Sequence, residues 1–181
     1  FNGVNNYVNI GSKSALYNLG LGSSSGYTFS SWIKISENVN SNSNADIIAS
    51  SSNTNAEGAY LMMVENYTSN SKSHIRTSLG TTQTSTSITN YSNGTVALND
   101  NNWHLVNTVY DTSDATLKTY VDSVLDSSST VTGTASSVTA SNIYIGSRDK
   151  SNHLFRGEID EFRIYDTALT STEIADIYKY G

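Results

Sequence analysis

Residues Tyr27 to Ile35 read YTFSSWIKI. Taken as an extended chain, Tyr27, Phe29, Ser31, Ile33 and Ile35 fall on one face and Thr28, Ser30, Trp32 and Lys34 on the other. Alternation of this kind, rich in β-branched and aromatic residues, is the mark of a strand with one buried face. The pattern recurs on both sides, in NYVNI (6–10), ADIIAS (45–50), AYLMMVE (59–65), SHIRTSL (73–79), NWHLVNTVYD (102–111), ATLKTYVDSVL (115–125), SNIYIGS (141–147) and GEIDEFRIYD (157–166). Between these runs lie stretches such as SENVNSNSNAD, SSNTNAEG, TTQTSTS and DSSSTVTGTASS, which read as loops too short to separate domains. Roughly ten short strands predict an all-β fold, a two-sheet antiparallel β-sandwich, with residues 1–181 forming a single domain.

One helix is expected. Thr170-Ser-Thr-Glu173 has the form of a capping box, with Thr170 as N-cap and Glu173 reaching back. Ile174, Ile177 and Tyr178 then make an apolar stripe about two turns long, expected to plug one end of the β-core.

Composition excludes several classes. The chain has 181 residues, 36 % hydrophobic and 14 % charged, with a net charge of −6. No basic patch is visible, so no nucleic-acid partner is expected. No apolar run approaches the length of a membrane span, so no membrane insertion is expected. The absence of cysteine rules out disulfides and thiolate-bound zinc. His74, His104 and His153 are scattered, without a metal-ligand spacing. No phosphate-binding glycine loop opens a helix.

The motifs FNGVNNYV, YTFSSWIKI, NNWHLVNTVYD, LKTYVDSVL, IYIGSR and FRGEIDEFRIYDTALTSTEI follow one another from end to end of the chain. In that order they resemble a laminin-G-like, concanavalin A-type jelly roll, a module of secreted and other extracellular proteins. The resemblance implies two curved antiparallel sheets, binding of a polysaccharide or glycan (occasionally a protein) at a loop rim or concave face, a structural calcium, and an extracellular or cell-surface setting within a larger chain. One position departs from the family: Asp122 is followed by Ser123 where Asp-Gly is usual. Serine tolerates positive φ less well than glycine, so the turn there is in question.

Enzymes of this fold carry Glu-x-Asp-x-Glu or Glu-x-Asp-x-x-Glu on one strand. Glu158 and Asp160 meet the first half of that motif, but Phe162 and Arg163 stand where the second acid belongs, and Glu161 is expected to point to the other face. A retaining mechanism needs two carboxyl groups about 5–5.5 Å apart. The only plausible donors of a second acid are Glu65 and Asp46. The expectation is a non-catalytic module, with a glycoside hydrolase or lyase as a lesser alternative. The resemblance also offers Asp160 as a calcium ligand, with Asn2 approaching it and a backbone carbonyl near Gly26 completing the shell. The plain alternative is that Asp160 accepts backbone amides at a strand end.

Ligand contacts are sought in loops on a rigid scaffold. The segment IGSRDKSNHLFRG crowds Arg148, Asp149, Lys150, Asn152, His153 and Arg156, groups suited to sugar hydroxyls and carboxylates, or else to an ordinary solvated loop. Trp32, on a polar sheet face, could stack on a sugar ring or be covered by a neighbouring element. Tyr67, Tyr91 and the loop Glu37–Asp46 are weaker candidates of the same kind. Trp103, sharing a face with Leu105 and Val109, is expected in the core. The sequence thus points to an adhesin-like or accessory carbohydrate-binding module, with a protein-interaction or architectural domain of a surface or virion protein as the alternative.

Overall fold

The computed structural model describes residues 1–11, 25–35, 46–50, 60–65, 73–79, 90–133, 142–148, 150 and 153–181; at 46–50, 60, 61, 63 and 65 it describes the backbone alone. Among the described residues, eleven strands and one helix follow in order: β1 (Val8–Gly11), β2 (Gly26–Lys34), β3 (Asp46–Ser50), β4 (Tyr60–Glu65), β5 (His74–Leu79), β6 (Asn90–Asn93), β7 (Trp103–Asp111), β8 (Thr116–Val121), β9 (Val124–Thr130), β10 (Ile143–Ile145), β11 (Glu158–Tyr165) and α1 (Ser171–Tyr180). They form a six-stranded sheet in the order β1-β10-β3-β4-β5-β6 and a five-stranded sheet in the order β11-β2-β7-β8-β9. Every pairing is antiparallel. The expected two-sheet sandwich is the observed fold.

The alternation of β2 decides how the sheets meet. Tyr27, Phe29, Ile33 and Ile35 pack in one cluster with Met62, Val64, Ile75 and Leu79 of the six-stranded sheet. Two inward hydroxyls, Thr77 and Thr108, hydrogen-bond across the core at 2.6 Å, so neither is buried without a partner. The start of the chain runs on beyond β11. The Phe1 ammonium donates to Gly157 O at 2.8 Å, Gly157 N donates to Phe1 O at 3.1 Å, and the Phe1 ring meets Phe155 edge-on with centroids 6.0 Å apart.

In β11 the spacing Ile159, Phe162, Ile164 breaks a strict period of two. A β-bulge absorbs the break. Asp160 pairs with Trp32 and Arg163 with Ser30, leaving Glu161 as the extra residue at φ 50°. Ile159, Phe162 and Ile164 thereby all pack against the core. Glu161 therefore does not simply point to the face opposite Asp160; it is bulged out into solvent and pairs with Arg163.

The capping box of α1 is as expected: Thr170 Oγ1 accepts from Glu173 N at 3.3 Å, and Glu173 Oε2 accepts from Thr170 N at 2.8 Å. Its position is not. The helix runs ten residues, and it lies on the outer face of the five-stranded sheet rather than at an end of the core. Ile174 packs with Val109 and Tyr120, which face away from the sandwich interior, and Tyr178 stacks on Trp32. The outward Val109, Tyr120 and Trp32 need a cover, and the helix supplies it.

Two strands were not legible as such. Asn90–Asn93 forms β6, and the first half of the Ser-rich stretch read as a loop is strand β9. Polar side chains hid both. Pairing with β8, and a Ser92–Ser127 hydroxyl contact at 3.1 Å, hold β9 extended.

The β8–β9 turn answers the question raised by Ser123: the hairpin keeps the primed geometry. Asp122 and Ser123 both have positive φ, 50° and 68°, as a two-residue hairpin of the primed type requires. A non-glycine residue in that region is strained. Ser123→Gly is expected to stabilise the fold by about 0.5–1 kcal/mol after the entropy it adds to the unfolded chain is subtracted. A melting midpoint that does not rise would show that the turn carries no such strain.

Candidate functional site

The two outer faces of the sandwich differ. On the five-stranded sheet, Trp32 is half-buried and its ring stacks on Tyr178, centroids 5.6 Å apart and planes 24° apart. Trp103 is not in the core, as its spacing from Leu105 and Val109 had implied: it is 40 % exposed. Its register with Lys34 puts it on the outer face, at the end of β7, while α1 buries Val109 further along.

On the six-stranded sheet, Ile75 and Leu79 point into the core, so His74, Arg76 and Ser78 point outward. Register places Ser78 opposite Tyr91 and Arg76 opposite Asn93. The Arg76 guanidinium lies over the Tyr91 ring, 3.9 Å from its centroid, a cation–π contact that holds the two side chains against each other. Beside them Ser78 is fully buried, and its hydroxyl takes no hydrogen bond among the described residues. His74 is anchored through Nδ1 to Val96 O at 3.0 Å. The same register row continues through Leu61 and Ser50 to Tyr144, four strand spacings or about 19 Å away. Tyr144 meets Tyr7 edge-on with centroids 5.9 Å apart, and its hydroxyl accepts from Asn142 Nδ2 at 3.1 Å. This face therefore carries the half-buried Arg76–Tyr91 pair at one end and the buried Tyr144 at the other. Arg76, Ser78 and Tyr144 were not singled out from sequence. The alternation of SHIRTSL, with His74, Arg76 and Ser78 opposite Ile75, Thr77 and Leu79, was the signal that could have found them.

The loop after β10 brings two of its predicted residues together. Arg148 Nη1 and His153 Nε2 lie 3.4 Å apart, both half-buried. The backbone turns sharply there, with Lys150 and His153 at φ 79° and 52°, and Lys150 N donates to Ser147 Oγ at 2.8 Å. Arg156 is exposed and pairs with Asn2 through an isolated bridge. Asp149, Asn152, Tyr67 and all of the Glu37–Asp46 loop but the Asp46 backbone lie outside the described residues.

The residues offered for calcium do not converge. Asp160 pairs with Trp32, six residues along β2 from Gly26, a separation of about 20 Å in an extended chain. Asn2 is bridged to Arg156, four residues before Asp160. Its side-chain oxygen already accepts from Val4 N, Asn5 N and Asn6 N at 2.9, 3.1 and 3.4 Å. Asp160 Oδ1 accepts from Glu161 N at 2.8 Å, the backbone-amide alternative. Antiparallel register sets these separations, so Asn2, Gly26 and Asp160 do not fit one cation shell. Nor do three or more His, Cys, Asp or Glu residues gather into a metal site among the described residues.

Among the described residues the acid pair gains no partner for bond cleavage. Glu158 is paired with Lys34 at 3.2 Å, and Glu161 with Arg163. Asp46 and Glu65 belong to strands of the other sheet, and their side chains lie outside the described set.

One charged cluster is structural. His104 Nδ1 meets Asp122 Oδ2 at 2.7 Å and Nε2 meets Asp100 Oδ1 at 3.1 Å, while Asp122 Oδ1 accepts from Leu105 N at 2.9 Å. The cluster ties the β8–β9 turn to the start of β7. Burial lowers the His104 pKa, but the hydrogen bonds and charges of Asp122 and Asp100 outweigh it and raise it above its ordinary value. Asp100 is held down to about 2, first by hydrogen bonds from Asn102 and then by His104. A raised folded-state pKa gives stability that is full below the unfolded value near 6.5 and is lost as pH rises through the folded value. The melting midpoint is expected to fall across that window, and His104→Gln to flatten the fall. An equal slope in both proteins would remove His104 from the account.

A family model described as the concanavalin A-like lectin/glucanases superfamily, of laminin-G type, matches residues 2–175. No curated protein matches the chain in sequence. Among solved structures, the sialidase module CBM40 of Ruminococcus gnavus bound to α2,3-sialyllactose is 12 % identical, with a TM-score of 0.68 over 98 % of this chain and 96 % of that one. Domain 4 of AbnA, an extracellular arabinanase of Geobacillus stearothermophilus, in complex with arabinotriose, is 18 % identical, with a TM-score of 0.64 over 98 % of this chain and 74 % of that one. A protein of Bacteroides ovatus is 17 % identical, with a TM-score of 0.62 over 82 % of this chain; the chain spans 39 % of its length. At such identities the likeness establishes the fold.

Proposed function

The chain belongs to the concanavalin A-like lectin/glucanase superfamily as a laminin-G-type domain, and on that premise we propose that it is a non-catalytic carbohydrate-recognition module, a single domain of a larger extracellular or surface protein. The observation that carries this reading is the outer face of the six-stranded sheet. There the half-buried Arg76 lies on the half-buried Tyr91 at 3.9 Å. An aromatic ring held beside a fixed guanidinium suits a ligand that is apolar on its ring faces and rich in hydroxyls at its edges. The strands order these groups beforehand, so binding costs little conformational entropy. Arg148 and His153 at the rim add donors of the same kind. The glycans named with the sialidase module and the arabinanase domain support the class of ligand without naming it for this chain. The pairing of Glu158 with Lys34 and of Glu161 with Arg163 supports the non-catalytic reading.

A screen of the folded protein on immobilised polysaccharides and a glycan array tests the proposal, run with calcium and again with chelator so that the metal expected from the family is tested separately. Retention on one glycan class is expected, weakened about tenfold or more by Tyr91→Ala or Arg76→Ala, each with an unchanged far-ultraviolet spectrum. A folded chain that no glycan retains would replace this reading by the protein-interaction one. The exposed pair Val124 and Leu125, 68 % and 51 % accessible at the β8–β9 hairpin, is the feature that favours that second reading.

A further inference from the structure

The outer face of the five-stranded sheet holds a feature that the proposed site does not use. Register aligns Glu158, Lys34 and Trp103 in one row across β11, β2 and β7, and Asp160, Trp32 and Leu105 in the next. The first row spans about 10 Å and the second lies about 7 Å along the strands. The helix reaches the Trp32 row through Tyr178 and ends two residues later, at Tyr180, so the row of Trp103 lies past the Tyr178–Trp32 stack. Trp103 is 40 % exposed there, a large apolar plane kept in water at the head of a strand. Polar groups of both kinds stand around it. Lys34 Nζ holds Glu158 Oε1 at 3.2 Å, leaving the ammonium further donors and the carboxylate a second oxygen. Asp160 is exposed, and of its carboxylate only Oδ1 accepts a hydrogen bond among the described residues. Tyr178, 42 % exposed, closes the patch on the helix side.

From this we infer that the patch of Trp103, Lys34, Glu158 and Asp160 is a second saccharide-contact site, on the face opposite the first. Its indole accepts the apolar face of a sugar ring while the carboxylates accept from, and the ammonium donates to, ring hydroxyls. With two acids against one lysine, the patch selects a neutral oligosaccharide over a carboxylated one. The inference rests on the glycan-binding reading and extends it: with a contact on each outer face, one chain bridges two strands of polysaccharide. It also gives the acids of GEIDEFRIYD a role as hydroxyl acceptors rather than as cleaving groups.

The chain has two tryptophans, so fluorescence isolates the site. In Trp32→Phe, emission comes from Trp103 alone. Arabinotriose and xylotriose as neutral probes, and α2,3-sialyllactose as the carboxylated one, are titrated while acrylamide quenching is read. A neutral probe is expected to shield the indole, in the Tyr91→Ala background as well, and sialyllactose is not. Trp103→Ala and Asp160→Ala in the otherwise native chain are each expected to weaken retention on the matching immobilised polysaccharide about tenfold. Should Trp32→Phe not fold, the difference in quenching between the native chain and Trp103→Ala reports the same shielding. Retention on a glycan that Trp103→Ala leaves unchanged, with no shielding by either neutral probe, overturns the second site and leaves the first standing. Shielding by sialyllactose alone overturns the ligand class. A folded chain that no glycan retains or shields overturns both.

Discussion

Gly26→Ala is expected to lower the stability of the fold by about 4 kcal/mol or more, at the severe end for a single substitution. Gly26 opens β2 at φ +136°, a conformation that side chains rarely adopt. A Cβ placed there would stand 1.8 Å from Tyr110 O and 2.9 Å from Tyr110 C, both backbone atoms of β7. Backbone in the centre of a sheet cannot swing aside as a lysine tip can, so relief requires parting β2 from β7 where they begin to pair. The Ala168 methyl, 3.3 Å away, blocks escape toward the segment that leads into α1. For a chain of this size each kcal/mol shifts the midpoint by about 2–4 °C, so a drop of roughly 10 °C is expected. A midpoint within about 2 °C of the native one would mean that the strands do not approach as closely as described.

Ile174→Asp is expected to release α1 from the sheet. Ile174 is the buried residue of the helix, fully enclosed with Val109 and Tyr120 beneath it and Ala168 and Leu169 beside it. Loss of the side chain alone costs about 2–5 kcal/mol at such a site, and a carboxylate without a partner there adds to it. The segment before the helix stays attached, because Thr28 Oγ1 donates to Thr167 O at 2.9 Å and accepts from Leu169 N at 3.0 Å. The expected signature is therefore local as well as global. The midpoint falls, and Trp32 loses its Tyr178 stack and emits at longer wavelength before the sheets melt. Unchanged Trp32 emission in a destabilised variant would show that residues other than Ile174 dock the helix.

The alternation of Tyr27–Ile35 placed its inward row correctly, because a strand buried on one face must put apolar groups two residues apart whatever its neighbours are. The box from Thr170 to Glu173 was equally local, since both hydrogen bonds close within one turn of chain. Trp103 went wrong for the opposite reason. Its strand is apolar on both faces: Val106 and Tyr110 line the sandwich interior, and Leu105 and Val109 are buried on the far side. Periodicity sorts such residues into two rows without saying which row faces the other sheet or how far α1 extends over the outer one.

The candidate sites divide in the same way. Tyr91 and Trp32 could be picked out as aromatics next to polar residues. That Arg76 lies on the first and Tyr178 on the second follows from register between strands, and from the course of a helix that lies far downstream of Trp32 in the sequence. Asn2, Gly26 and Asp160 were grouped by family likeness and separated by the pairing of β11 with β2. By itself the chain determined its class, the inward row of β2 and its helix cap, all of which depend on interactions within a few residues. Only the tertiary structure decided which outer face is covered, where the bulge at Glu161 falls and which polar groups meet, because those depend on contacts between segments distant in sequence.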